Sequence, residues 1–125
     1  MKPNQKQTTR LSADQHLFVE DRTQTKVNIE EAIKEALKAE DFRLALRYRF
    51  HHVLYLMASN GDIVYAQDKT NRDYRREIAE KQYADIFVTV SRLFELYWYG
   101  KINITKAGYD DATVQFSQLS KQLEG

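Results

Sequence analysis

The chain has 125 residues, 42% hydrophobic and 12% aromatic, which is enough apolar material for one packed core; its one proline and four glycines are too few for the turns of an all-β domain. The net charge is +1: residues 1–28 carry Lys2, Lys6, Arg10, Arg22 and Lys26 against Asp14, Glu20 and Asp21, a balance of +2, which leaves −1 for residues 29–125 and no basic face of the kind that marks a nucleic-acid binder. The absence of cysteine excludes disulfides, thiolate nucleophiles and thiolate metal sites, and the sequence has neither an apolar run of about 18–20 residues to span a bilayer nor the apolar core of a signal peptide at its start.

Residues 1–27 read as a flexible N-terminal linker. The first 13 are polar and hold the only proline. The patch Leu17–Phe18–Val19 leaves two readings open, a short extended piece packed on the domain or a loose tail. Residues 28–124 read as one helical domain. Asn28 is the expected N-cap of a first helix over 29–39, with Glu30 and Glu31 in its first turn and Ile29, Ala32, Ile33, Ala36 and Leu37 on one face. The pattern breaks at Glu40–Asp41, and Asp41 caps a second helix over 42–59. So short a link folds the pair back as an αα-hairpin. Leu46, Phe50, Val53 and Met57 form a stripe that Leu44, Ala45, Tyr48, Leu54 and Leu56 widen, which places this helix centrally.

Asn60–Gly61 ends that helix, Gly61 being suited to the left-handed conformation. Ile63 and Tyr65 alternate with polar neighbours, so a short extended segment is expected near 62–67. Thr70 with Asp73 has the spacing of a capping box and opens a third helix over 70–80. A fourth covers 83–99, with Ile86, Val90, Leu93 and Tyr97 in one stripe and Gly100 as the C′ stop; Tyr97-Trp98-Tyr99 reads as a stacking platform or partner hot spot whose rings cannot all face one way, core being the stronger reading for Trp98. Thr105 caps a fifth over 105–123, whose Tyr109, Ala112, Phe116, Leu119 and Leu123 are spaced as an amphipathic face; Gly108 frays its first turn. The expected fold is thus all-α, a compact bundle of about five helices.

Chemistry-bearing patterns are sparse. His51 and His52 are adjacent, so on a helix they point about 100° apart and do not chelate one ion together; no metal site is expected. Ser59, Ser91, Ser117 and Ser120 lie in no nucleophile elbow, and Asp110–Asp111 reads as a pair serving the helix dipole. No cofactor motif and no catalytic motif is present, so an enzyme is not expected. Arg43, Arg47 and Arg49 make one basic stretch, and Lys69, Arg72, Arg75 and Arg76 make another. Together they would bind an anion if they met, although Asp73, Glu77 and Glu80 intersperse the second. Lys69-Thr70-Asn71 stands at a helix start, where backbone N–H groups attract anions, but no glycine-rich phosphate loop precedes it. Capping is the stronger reading. The residues singled out for a partner or ligand are Arg47, Lys69, Thr70, Asn71 and Tyr74. A deep pocket lined by Arg47, Lys69 and Asn71 would favour a small ligand or anion, and a flat patch with those side chains used internally would favour an interaction surface.

Three blocks carry a family resemblance over residues 29–123: EAIKEALKAEDFRLALRYRF, GDIVYAQDKTNRDYRREI and FVTVSRLFELYWYGKINIT. They are similar to A-I-x-x-x-D-[YF]-R-x-A-x-R, G-L-I-x-W-x-x-x-K-T-N-x-x-Y and F-x-x-x-x-x-x-F-E-x-x-W-Y-G of the uncharacterised helical domain at the C-terminus of bacterial transglutaminase-like membrane proteins, found also in small membrane proteins of Bacteroidetes-type bacteria. The sequence departs from that pattern at Asp62 and Tyr65, which stand for Leu and Trp, and at Arg49 and His51, which replace apolar positions. The resemblance implies a domain without established activity, tethered behind a transmembrane helix outside this chain, on the cytoplasmic side of the inner membrane. The polar start after Met1 would then be that of an excised soluble part. It further implies a protein partner, such as a MoxR-type AAA+ ATPase or a protein with a von Willebrand-like domain encoded nearby. Transglutaminase chemistry belongs to a separate part of such proteins and needs a cysteine that this chain lacks.

Overall fold

A computed structural model describes residues 26–100 and 102–125. The linker reading of residues 1–25, with the Leu17–Phe18–Val19 patch, lies outside the described residues. Among the described residues there are five α-helices and no strand: α1 (Lys26–Lys38), α2 (Phe42–Ser59), α3 (Asn71–Glu77), α4 (Ala84–Tyr99) and α5 (Lys106–Glu124). None is long and apolar enough to cross a membrane. The expected all-α bundle is the fold observed.

Helix α1 runs past its expected start, so Asn28 is an exposed residue within the helix and not its N-cap. No proline or glycine stops the helix between Lys26 and Ile29, and asparagine inside a helix costs only about 0.5 kcal/mol relative to alanine. At the other end the chain turns through Glu40, which takes φ +58° while its N–H donates to the Leu37 carbonyl, and the Asp41 N–H donates to that of Ala36. This is a Schellman closure built without glycine. Asp41 then caps α2, its carboxylate accepting from the Leu44 N–H at 3.1 Å.

Helix α2 packs against α1, α4 and α5, and its stripe is the centre of the core. Leu46, Phe50, Val53 and Met57 are all buried, as are Ala45 and Leu54 from the wider face. Phe50 stacks on Phe94 with ring centroids 4.5 Å apart and on Phe87 at 6.1 Å, and Phe94 continues the stack to Trp98 at 6.1 Å. Such pairs add roughly 0.5–1.5 kcal/mol each beyond the area they bury. Trp98 is only half-buried. Arg43 and Arg47 cover it, their guanidinium carbons 4.1 and 4.8 Å from its ring centroid. Arg43 also donates to the carbonyls of Tyr97 and Trp98, which closes the C-terminus of α4 with a cation.

Two glycines behave differently. Gly61 has φ +80° and ends α2 as the sequence implies. Gly100 is right-handed, φ −79°, and is the C-cap itself. It is needed for space, because a Cβ built there would collide with the Leu96 carbonyl oxygen. Helix α3 is shorter than expected. It stops at Glu77, because the next residue, Ile78, is fully buried and leaves helical geometry at ψ +16° to reach the core. The following turn brings back Tyr83, whose hydroxyl donates to Asp62 at 2.8 Å while Lys81 pairs with the same carboxylate at 3.1 Å. Thr105 caps α5, accepting from the Gly108 N–H at 3.1 Å, so the first turn there is helical and closed rather than frayed.

Candidate functional site

Between α2, the 62–70 loop, α3 and α4 lies an open cavity of about 460 Å³. Its wall is built from four stretches. Helix α2 contributes Phe50, His51 and Leu54, the loop Tyr65, Gln67, Asp68 and Lys69, the start of α3 Thr70, Asn71 and Tyr74, and α4 Phe94, Glu95 and Tyr99. Volumes of this size are those of small-molecule pockets.

Four of the five residues singled out from the sequence meet here: Lys69, Thr70, Asn71 and Tyr74. Arg47 does not. One turn of α2 separates it from His51, but it leans the other way, over Trp98. The two basic stretches therefore do not converge on this cavity. Arg49 goes to α5, where its Nε donates to the Tyr109 hydroxyl at 2.8 Å.

Lys69, Thr70, Asn71, Tyr74 and Glu95 are committed to holding the wall up. The Thr70 hydroxyl accepts from the Asp73 N–H at 3.2 Å and the Asp73 carboxylate accepts from the Thr70 N–H at 2.9 Å, a complete capping box. That N–H holds the Asp73 carboxyl below its ordinary range against desolvation, the next-largest influence, with the Thr70 hydroxyl and the cations Arg76 and Lys69 helping to lower it. Lys69 donates to the Val64 carbonyl at 2.6 Å and pairs with Glu77 at 2.5 Å, with its ammonium 5.7 Å from the Tyr74 ring centroid. Asn71 donates to Glu95 Oε2 at 3.1 Å, and Arg75 donates to the same oxygen at 3.1 Å and to the buried Ser91 hydroxyl at 2.8 Å. This network fastens α3 to α4. Tyr74 is buried, and its hydroxyl closes the loop by accepting from the Ala66 N–H at 3.2 Å and donating to the Ala66 carbonyl at 3.3 Å. Burial, reinforced by the Glu77, Asp73 and Asp68 carboxylates, pushes that hydroxyl above its ordinary pKa, with the Ala66 hydrogen bond working the other way.

Apart from Leu54, Gln67 and Asp68, the rest of the wall is aromatic. Tyr65 stacks on Tyr74 at 6.2 Å, and Tyr99 meets Phe94 edge-on at 6.1 Å. Tyr99 is 63% exposed, and Leu96 and Ile102 beside it are also exposed, so the apolar surface continues beyond the cavity mouth. Tyr65, Asp68 and Glu95 were not singled out from the sequence, and of the run Tyr97-Trp98-Tyr99 only Tyr99 lines the cavity. One signal was available: Ser91, Glu95 and Tyr99 recur at i, i+4 and i+8 on one face of α4, a polar-aromatic stripe beside an apolar one. The loop residues have no such signal, since only the fold brings them to α4.

His51 lines the cavity and is buried, while His52 stacks on Tyr55 at 6.5 Å and lies 3.8 Å from Glu124. Among the described residues no three His, Cys, Asp or Glu side chains come together as metal ligands. No protein-family model matches the chain, and no curated protein or solved structure is found similar to it.

Proposed function

We propose that this is a non-catalytic interaction or regulatory domain that docks a segment of a partner protein in the aromatic cavity. One observation carries the reading: the cavity presents Tyr65, Phe94 and Tyr99 beside an exposed apolar rim, while its polar residues Lys69, Thr70 and Asn71 are already bonded within the fold. Aromatic anchors of this kind dominate the energetics of protein interfaces. A group already satisfied in the free protein contributes little to a new contact. The anion form of the small-ligand reading has less support, since Arg47 stands apart and Lys69 is neutralised by Glu77.

In this reading, as the family resemblance implies, the domain belongs to a membrane-anchored bacterial protein, on the cytoplasmic side of the inner membrane. Its partner there is a MoxR-type AAA+ ATPase or a protein with a von Willebrand-like domain encoded nearby. The test is binding of those two purified proteins to the full-length protein. Tyr99→Ala is expected to weaken capture about tenfold, the usual cost of truncating an interface aromatic. Val114→Ala, exposed on α5, is expected to leave capture unchanged. Equal capture by wild type and Tyr99→Ala, with both folded, contradicts the proposed surface.

A further inference from the structure

The cavity is not electrically neutral. Of its charged wall residues, Lys69 is cancelled by Glu77 at 2.5 Å, and Glu95 is compensated at one oxygen only, where Oε2 receives both Arg75 and Asn71. Glu95 Oε1 has no partner among the described residues. Asp68 has neither a hydrogen bond nor an ion pair among them, and it is exposed at the mouth. One whole negative charge and one unshared carboxylate oxygen thus remain on a wall that also holds the rings of Tyr65, Phe94 and Tyr99. Aromatic faces carry negative charge at their centres and attract cations within about 6 Å, an attraction Lys69 already shows toward Tyr74 at 5.7 Å. Low-dielectric walls carrying one sign of charge concentrate their field in the cleft.

We infer that the segment this cavity takes is an extended peptide carrying an arginine or lysine next to an apolar side chain. The inference rests on the docking reading above and names the chemistry of the partner. The cation would lie between Asp68 and the second oxygen of Glu95, against the rings of Tyr65 and Tyr99. The apolar neighbour would enter toward Phe50, Leu54 and Phe94. A small amine would fill the charged mouth alone and leave the apolar surface at Leu96, Tyr99 and Ile102 in water. A peptide covers both. Anionic partners, nucleic acid among them, meet the wrong sign.

The test is selection of a displayed library of random heptapeptides on the full chain, repeated on Asp68→Lys and Tyr99→Ala. Asp68 holds nothing in the fold, so its replacement is expected to leave helical circular dichroism unchanged. The wild-type pool is expected to be enriched in Arg or Lys beside Leu, Ile, Phe or Met. On Asp68→Lys that enrichment falls roughly tenfold, the size of reversing one partly solvated charge at close range. A pool of acidic or uncharged peptides that still fails to bind Tyr99→Ala overturns this inference and leaves the docking reading standing. A pool that binds Tyr99→Ala as well as wild type, or no selected pool at all, overturns both. Elution of the chain at twice its mass, reverted by Tyr99→Ala, assigns the surface to a second copy and likewise overturns the peptide.

Discussion

Tyr83 shows how much one side chain can hold. Its hydroxyl donates to Asp62, which also pairs with Lys81, so a single carboxylate ties the turn after α2 to the turn before α4. Burial, then the bond to Asp62 and its charge, push the Tyr83 hydroxyl well above its ordinary pKa. The sign follows directly. Above about pH 10 the unfolded chain releases this proton while the folded chain keeps it, so stability present below that pH is lost as pH rises toward the folded value. Tyr74 adds to the same trend. Urea midpoints are expected to fall from about pH 10 upward, and less steeply in Tyr83→Phe; that variant should lose about 1 kcal/mol at neutral pH, the worth of the bond to Asp62. Identical alkaline slopes would contradict this role for Tyr83.

At the scale of elements, α3 is the weakest helix and the one on which the cavity wall depends. Seven residues are too few to be helical alone, so the helix exists by its capping box, the Tyr74 hydroxyl and the network to Glu95. Thr70→Ala is expected to cost about 1 kcal/mol in chemical denaturation. Amide exchange should accelerate in residues 66–77 before it does in α2. Asp73, whose carboxyl is held low by the Thr70 N–H, contributes stability that is present above about pH 4 and lost as pH falls through its folded value. Asp73→Asn, which removes the titrating group, should therefore flatten the acid limb. Unchanged stability and exchange would contradict the role given to the cap.

The helices were legible in the sequence to different degrees, for physical reasons. The α2 and α5 faces follow from spacing alone, since their apolar positions repeat every three or four residues and all of them are buried in the fold. The end of α3 was not legible, because Ile78 continues the apolar pattern while its burial is achieved by leaving the helix. The start of α1 was misplaced because a good capping residue also tolerates a helix interior. Lys69, Thr70, Asn71 and Tyr74 were visible because a cap and its neighbours are local. Glu95, Tyr65 and Asp68 were not, because they meet the others only through tertiary packing.

The described residues form a core of helices around α2 with a partly charged aromatic cavity on one flank; in the proposed reading Lys69, Thr70, Asn71 and Tyr74 serve as scaffold, and Tyr65, Tyr99, Asp68 and the second oxygen of Glu95 as the docking surface. The separation between scaffold and surface is the central claim. Its most direct test is a backbone amide NMR titration of the isotopically labelled full chain with an acetylated, amidated heptapeptide holding one arginine flanked by leucines. Shift changes concentrated in 63–71 and 94–99, and abolished by Tyr99→Ala, are the predicted result. Shift changes centred on α5, or none with peptide at about millimolar concentration, the weak end of specific binding, would contradict it.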